Sequence, residues 1–192
     1  MSNIAVQGGA GGTGTVTLLA PSTNSNQTIT LPDATGTVLT TATAGVPVNG
    51  PAFSAYRSGS NQSISINTWT KAQLNSEDFD TAGAFDSTSN YRFTPLVSGY
   101  YQINGSINTD SSSAFGTGVF AAIYKNGTLY RVSAVNNTLA PTTGIPCVSA
   151  IVYFNGSTDY VELYGFVQGG VGMLFSTSYN STSLSGAMVR AA

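Results

Sequence analysis

Beyond residue 50 the chain alternates apolar and polar residues in short runs, which Gly, Asn or Pro separate. The runs recur about every 8–14 residues, a spacing typical of β-sandwiches and jelly rolls. One pair of runs is joined by Asn126-Gly127, the dipeptide that favours a tight hairpin because both residues accept positive φ. The pattern predicts an all-β head with strands near residues 52–58, 62–70, 77–80, 91–95, 99–109, 117–125, 128–135, 145–154, 159–168 and 183–190.

The N-terminal part of the chain differs from this head. Residues 1–14 are rich in glycine and carry few apolar side chains, a composition typical of a flexible arm. We expect this arm to dock the chain on another protein through the segment that contains Ile4, Val6, Gly8 and Gly9.

Residues 15–40 contain three short alternating segments that predict a small β-stranded anchor or stalk. Each segment has two or three apolar residues on one face, too few for one copy to be stable alone, so packing against symmetry mates is expected. Residues 41–50 hold no sustained pattern and are interpreted as a linker, which leaves residues 51–192 for the head.

Composition narrows the function. Only 7% of the residues are charged, and six Lys and Arg against eight Asp and Glu give a net charge of −2. So few scattered cations exclude a nucleic-acid footprint and a polybasic membrane patch. The chain contains no histidine and one cysteine, which excludes His-dependent nucleophilic catalysis and multi-thiolate zinc sites. We therefore expect no enzymatic activity, no catalytic residue, no metal and no cofactor.

Two further features concern the cell compartment. The N-terminus lacks a basic segment followed by an apolar one, and no run of about 18 apolar residues follows, so neither a signal peptide nor membrane insertion is expected. Cys147 sits in an apolar stretch, and a buried structural thiol is the favoured interpretation over a reactive one.

Three alternatives for the head are less favoured. Glu77, Asp78 and Asp80 could supply a carboxylate pair for glycoside hydrolysis, although solvated acids beside a turn are the more common explanation. The same acids with Asp86 could hold calcium, without the spacing of an EF-hand. Trp69, the one tryptophan, could contact a glycan, although partly buried packing is more common for a lone Trp.

The anchor segment resembles a module that recurs in tailed-bacteriophage fibre and virion proteins. In that module a Gly-Thr-Val-Thr-Leu strand precedes a Thr-Ile-Thr-Leu-Pro strand and a Thr-Gly-Thr-Val closing strand. Gly14–Leu18, Thr28–Pro32 and Thr35–Val38 occupy these places. The resemblance implies a place in a virion.

The head resembles the complement and tumour-necrosis-factor superfamily. Its signature has a Phe six positions before a Gly, with an aromatic and a hydrophobic residue two and four positions after that Gly; Phe93, Gly99, Tyr101 and Ile103 fill these places. Weaker likenesses follow the family's order at Asn75, Phe79-Asp80, Phe85-Asp86, 156–163 and 183–189. The resemblance implies a ten-stranded jelly roll that forms a threefold trimer through one sheet, with the four signature residues in the core or at the interface.

These observations predict a bacteriophage virion structural protein, synthesised in the bacterial host cytoplasm. In this interpretation a homotrimeric capsid decoration or cement protein is seated on the major capsid protein or another virion protein by residues 1–14, and its head projects outward. The alternative is the receptor-binding tip of a tail fibre, with the head as an adhesin for a host-surface glycan. A free bacterial or eukaryotic cytokine-like ligand is a third, less favoured class, because no signal peptide is predicted. Residues 1–50 also lack the collagen-like repeat of the animal complement proteins, which disfavours complement-like signalling.

Overall fold

The computed structural model describes residues 50–114, 117–136, 145–169 and 171–192. These residues belong to the second of the two units into which the chain divides, Leu39–Ala192. Within the described ranges, no helix has the length and apolar character needed to cross a membrane. The docking arm, the anchor module and nearly all of the linker lie outside the described residues.

The described part of the chain is built almost entirely from β-strands. In chain order they are β1 (Ala52–Tyr56), β2 (Gln62–Ser63), β3 (Thr70–Lys71), β4 (Ser76–Asp80), β5 (Phe85–Asp86), β6 (Arg92–Phe93), β7 (Gly99–Ser106), β8 (Thr109–Ala114), β9 (Gly118–Lys125), β10 (Thr128–Asn136), β11 (Cys147–Phe154), β12 (Val161–Gln168), β13 (Val171–Phe175) and β14 (Ser183–Ala191). A single 3-10 turn, Ser178–Asn180, precedes β14.

Two antiparallel sheets form the sandwich. One has the strand order β11-β7-β14-β1-β4, and the other has the order β10-β9-β12-β6-β5 with β3 paired to β12. A small third sheet has the order β2-β13-β8. Apart from the consecutive pairs β9–β10 and β5–β6, neighbouring strands in each sheet are not consecutive in the chain, as in a jelly roll.

The core lies between the two sheets, and two strands of the five-stranded sheet show its side most clearly. In β7 and β11 every second side chain is buried and the intervening ones face water. The largest fully buried side chains are Tyr101, Phe53, Phe93, Phe154, Phe175, Leu74, Ile103, Ile107, Ile123, Leu163 and Leu184.

The all-β jelly roll expected from the sequence is confirmed, with differences in individual strands. The hairpin at Asn126-Gly127 has φ of 52° and 76° at its two central residues, as the dipeptide predicted. In place of the single strand predicted at 62–70, the structure has two strands of two residues each, β2 and β3. A mostly exposed segment separates them, and in it Asn67 has a φ of 54°.

The long strand predicted at 99–109 is also divided. β7 ends at Ser106, Ile107 is fully buried, and β8 then joins the small sheet. The sequence pattern missed β5, a two-residue pairing with β6. It also missed β13, which follows Gly169 and Gly170 and contains Gly172, so that glycine interrupts its alternation.

Candidate functional site

The four signature residues of the head lie inside the sandwich. Phe93, Tyr101 and Ile103 are fully buried, and Gly99 is buried at the start of β7. A Cβ on Gly99 would lie 2.5 Å from the carbonyl oxygen of Arg190, so only glycine allows β14 to approach this closely. The structure therefore places these residues in the core of the protomer.

An aromatic cluster surrounds Phe93 in that core. Its ring stacks on Phe53 with 4.1 Å between centroids and meets Tyr101 and Phe154 edge-on at 5.8 Å and 6.0 Å. The hydroxyl of Tyr101 donates to the carbonyl of Val97 at 2.8 Å, and burial raises the pKa of Tyr101 to about 12. The phenol stays neutral, which suits an interior position.

The opposite side of the same strands forms a surface that we call the outward face, carried by β11, β7, β14, β1 and β4. Its exposed apolar side chains include Tyr100, Ile151, Tyr153 and Val189, between 42% and 57% exposed. The rings of Tyr100 and Tyr153 lie 5.4 Å apart across the β7–β11 pair. A sheet face that met only water would normally carry polar residues at these positions.

The middle of the outward face is polar but uncharged. The side-chain amide of Gln102 donates to the hydroxyl of Ser149 at 2.7 Å, and that hydroxyl donates to Asn104 at 3.0 Å. At the edge formed by β4, Phe79 is half exposed, and Asp78 accepts a hydrogen bond from Ser54 at 2.8 Å. These polar groups satisfy one another and leave the face without a strong charge at its centre.

A groove of about 580 Å³ lies at one end of the outward face. Tyr100, Ile151 and Val189 line it together with the C-terminal residues Arg190, Ala191 and Ala192. The described head begins at the same end, since the amide of Met188 donates to the carbonyl of Pro51 and that of Ala192 donates to Ser98. We call this end of the sandwich the base.

Trp69, for which partly buried packing was favoured over a glycan contact, packs on the outer side of the six-stranded sheet. Its ring lies 5.3 Å from Phe166, 6.0 Å from Tyr124 and 6.4 Å from Phe120. Beside it, Tyr124 stacks on Tyr164 at 4.1 Å, and partial burial raises the pKa of both phenols. All five rings are partly buried, so Trp69 is one member of an aromatic layer.

Asp80 and Asp86, two of the acids considered for catalysis or calcium binding, accept hydrogen bonds from two different turns. Asp80 accepts from the backbone of Ala82 and Phe85, and Asp86 accepts from the backbone of Thr88, Ser89 and Asn90. Among the described residues no three His, Cys, Asp or Glu side chains come close enough together to hold a metal ion.

The prediction that Cys147 is buried is wrong. In β11 the side chains of Val148, Ala150, Val152 and Phe154 point inward, so Cys147 points outward and is exposed. Its thiol lies 3.7 Å from the carbonyl of Ile145, on the outward face at the end away from the base. An apolar neighbourhood in sequence did not reveal which side of the strand the residue occupies.

Two features of the surface were missed by sequence reasoning. The outward face follows from the alternation of β7, but the sequence does not say which of Tyr100 and Tyr101 points inward. Tyr179, 99% exposed on the turn before β14, also escaped notice. Its signal is a lone aromatic within Ser176–Ser183, where every other residue is Ser, Thr or Asn.

Comparisons with known proteins support the fold. No protein-family model and no curated protein matches this sequence. The tumour necrosis factor Eiger of S. frugiperda has a similar structure, with a TM-score of 0.58 and 8% identity over 74% of this chain and 94% of that chain. Murine APRIL at pH 8.5 gives a TM-score of 0.51 and 7% identity over 73% and 100%. At such identities the likeness shows the fold alone: the head is a tumour-necrosis-factor-like β-sandwich.

Proposed function

We propose that this chain is a non-enzymatic structural protein that assembles as a homotrimer through the outward face of its five-stranded sheet and decorates a bacteriophage capsid. The observation that carries the proposal is the character of that face. It exposes Tyr100, Ile151, Tyr153 and Val189 around an uncharged hydrogen-bonded centre. Exposed apolar patches of this kind mark surfaces that another protein covers.

A second copy of the chain suits this face for an electrostatic reason. Burying charged groups between two copies costs free energy unless each charge is paired. The centre of the outward face is built from Gln102, Asn104 and Ser149, which carry no charge. Two copies can therefore approach through it without burying like charges.

The distribution of the apolar residues favours a ring. Ile151 and Tyr153 lie at the β11 edge of the sheet, whereas Phe79 lies at the β4 edge. A contact that covers two different patches is head-to-tail, and such contacts generate closed rings when the rotation between subunits permits. The resemblance of the head to the tumour-necrosis-factor superfamily supports three subunits in the ring.

The place in a virion is supported by the N-terminal sequence. Gly14–Leu18, Thr28–Pro32 and Thr35–Val38 resemble the phage module, and residues 1–14 form the proposed arm toward the major capsid protein or another virion protein. The described head begins at its base, so a protein anchored through its N-terminal sequence could project the other end of the head outward.

Light scattering on the full chain tests the assembly. We expect a particle of about three times the chain mass of 19.7 kDa, and a stable monomer would contradict the proposal. Deletion of residues 1–14 tests the anchor separately. The truncated protein should still form trimers, but it should no longer bind capsids from which the natural protein is missing. Full binding by the truncated protein would place the anchor elsewhere.

A separate experiment tests the proposal that the protein is not an enzyme. The purified trimer should leave polysaccharides intact, because the carboxylates of Asp80 and Asp86 are each engaged by their own turn. Depolymerisation that Glu77→Gln or Asp80→Asn abolishes would assign an enzyme instead.

The receptor-binding tip of a tail fibre is the second candidate. The fully exposed ring of Tyr179 favours it, since that ring lies at the end of the head away from the base. Virions that lack the protein separate the two roles, because they should lose thermal robustness in the first case and adsorption to cells in the second.

A further inference from the structure

The turn that precedes β14 presents a single aromatic ring to solvent. Tyr179 is 99% exposed, and it is the most exposed large hydrophobic side chain among the described residues. Its backbone has φ of 55° and ψ of 22°, and the next residue, Asn180, has a φ of 52°. Two consecutive residues are therefore in the left-handed region.

This conformation is unfavourable for tyrosine and common for asparagine or glycine. A bulky side chain in the left-handed region crowds the following carbonyl, so such residues usually persist where the surroundings impose them. Asn180, Asn67 and Asn126 use the same region at little cost. Asparagine or glycine would therefore suit this backbone better than tyrosine, and the side chain of Tyr179, which is 99% exposed, gains no burial in the described protomer that would compensate.

A network of hydrogen bonds holds the turn in place. The side-chain oxygen of Asn61 accepts from the amide and the hydroxyl of Thr177 at 2.9 Å and 3.1 Å. On the other side, the amide of buried Asn108 donates to the hydroxyl of Ser181 at 2.8 Å, and that hydroxyl donates to the carbonyl of Ser178 at 2.6 Å. The exposed ring is therefore carried on a fixed backbone, and little ordering is needed before it meets a ligand.

The turn lies at the end of the sandwich opposite the base. β1 runs from Ala52 near the base to Tyr56, and Tyr56 pairs with Ser183, four residues after Tyr179. The loop 57–61 reaches the same end. We call the two segments 57–61 and 176–182 the distal tip.

The distal tip is rich in neutral hydrogen-bonding groups. Apart from Arg57 and Tyr179, its residues are Ser, Thr, Asn and Gly. Arg57 is turned inward, donating to the carbonyls of Ser60 at 2.9 Å and Gln73 at 3.2 Å. Asp110 nearby accepts from Asn61 at 3.4 Å. The distal tip therefore offers few free charges to a charged ligand and many hydrogen-bond donors and acceptors to the hydroxyls of a sugar.

We propose that the distal tip binds neutral carbohydrate, with the ring of Tyr179 stacking on the apolar face of a pyranose. The C–H bonds of a pyranose carry partial positive charge and are attracted to the negative face of an aromatic ring. Hydroxyls and amides beside the ring, such as those of Ser178 and Asn180, can hydrogen-bond the sugar hydroxyls. This inference goes beyond the structural role and does not depend on assembly, since one protomer presents the complete tip.

Tyr179 suits a sugar better than Trp69, the possible glycan contact considered in the sequence. Trp69 packs against Phe120, Tyr124 and Phe166, which leaves less of its ring free. Tyr179 has its ring free in water, as a stacking platform requires.

Binding of the full chain to immobilised dextran, mannan, galactan and chitin oligosaccharides tests the proposal. We expect binding to at least one of these neutral probes, and Tyr179→Asn should weaken it about tenfold, because one stacking contact is lost. The same variant should melt at the same or a higher temperature, since asparagine tolerates the left-handed backbone. Tyr179→Phe keeps the ring and should retain most of the binding.

Leu96→Asn is the matched control, because Leu96 is an exposed apolar residue outside the distal tip and should not affect binding. Binding to none of the four probes would overturn the proposal, as would equal loss in Leu96→Asn or full binding by Tyr179→Asn. Binding of the full chain to bacterial envelope fractions treated with periodate or with proteinase distinguishes a carbohydrate ligand from a protein partner. Tyr179-dependent binding that survives periodate oxidation but not proteinase would also overturn the carbohydrate assignment.

Discussion

Tyr100 and Tyr101 are consecutive residues of β7 that face opposite sides of the sheet. Tyr101 is fully buried with its hydroxyl 2.8 Å from the carbonyl oxygen of Val97, whereas Tyr100 is 44% exposed with its ring 5.4 Å from that of Tyr153. The alternation of a strand imposes this division. Folding and the proposed assembly are therefore served by adjacent side chains, and substitutions can separate the two.

Tyr100→Asp should weaken assembly and leave the protomer folded. The change places a carboxylate among the exposed apolar residues at the base end of the outward face. Burying it against a second copy should cost several kcal/mol, which Arg190, the register partner of position 100 on β14, would offset only in part. Light scattering should then show a shift from trimer toward monomer, with a far-ultraviolet spectrum like that of the natural protein. A trimer of unchanged stability would show that the outward face is not the interface.

Tyr101→Phe is the matched change on the other side of β7. It removes one partly buried hydrogen bond to the carbonyl of Val97, which should lower the free energy of unfolding by about 1 kcal/mol. The mass of the Tyr101→Phe assembly, measured by light scattering, should equal that of the natural protein. Tyr101→Asp, by contrast, should unfold the protomer, because Tyr101 lies in its core.

The fold was accessible from sequence where local signals were strong. The alternation of Tyr101, Gln102, Ile103 and Asn104 located β7, and Asn126-Gly127 located the hairpin of β9 and β10. β5 and β13 escaped because a two-residue pairing has no periodicity and because glycine interrupts the alternation of β13. Whether such short segments form strands depends on pairing with other strands, which a local sequence pattern does not show.

The candidate sites were less accessible for a different reason. Alternation gives two faces for each strand, but it does not say which one the second sheet covers, so Cys147 was placed on the wrong side. For Tyr179, the informative facts are a backbone φ of 55° and full exposure, which only the structure provides. A lone aromatic in a polar segment was the available clue.

Gly165→Ala should destabilise the head through steric overlap alone. A Cβ at this buried position would lie 2.5 Å from the ring of Phe175 and 3.3 Å from Ile107, so the core must shift to accept it. Overpacking of this kind costs about 1–3 kcal/mol, to be measured by chemical denaturation. Adding Phe175→Leu should recover part of the loss, and additive destabilisation by the two changes would contradict this explanation.

Glu162→Gln should lower stability by about 1–2 kcal/mol. The Glu162 carboxylate is 6% exposed and lies 3.0 Å from the ammonium of Lys71, which also donates to the carbonyl of Asn90. Removing one charge leaves the other partly buried without its partner. Thermal denaturation measures the effect, with the more exposed Asp110→Asn as control. Equal melting temperatures for the two variants would show that the ion pair contributes nothing.

Acid should destabilise the head through its turn carboxylates. Amide groups of Ser89, Thr88 and Asn90 hold the pKa of Asp86 well below 3.8, and hydrogen bonding to Asn126 lowers that of Asp159. A carboxyl whose pKa falls on folding contributes stability above its unfolded pKa of about 4 and loses it as pH decreases further. Melting temperature should therefore fall below about pH 4, and Asp86→Asn should flatten the decline. An identical decline in this variant would assign the effect to other groups.

Cys147 provides a direct report on the outward face. Its thiol is exposed in the protomer and lies in the same row of β11 as Ser149, Ile151 and Tyr153. If that row is covered on assembly, the thiol of the trimer should react with an aromatic disulfide reagent at least tenfold more slowly than the thiol of Tyr100→Asp, because buried thiols are inaccessible to reagent. Stopped-flow absorbance at equal protein concentrations measures both rates, and Cys147→Ser gives the baseline. Equal rates in a trimer and in the dissociated variant would show that the copies meet through another surface.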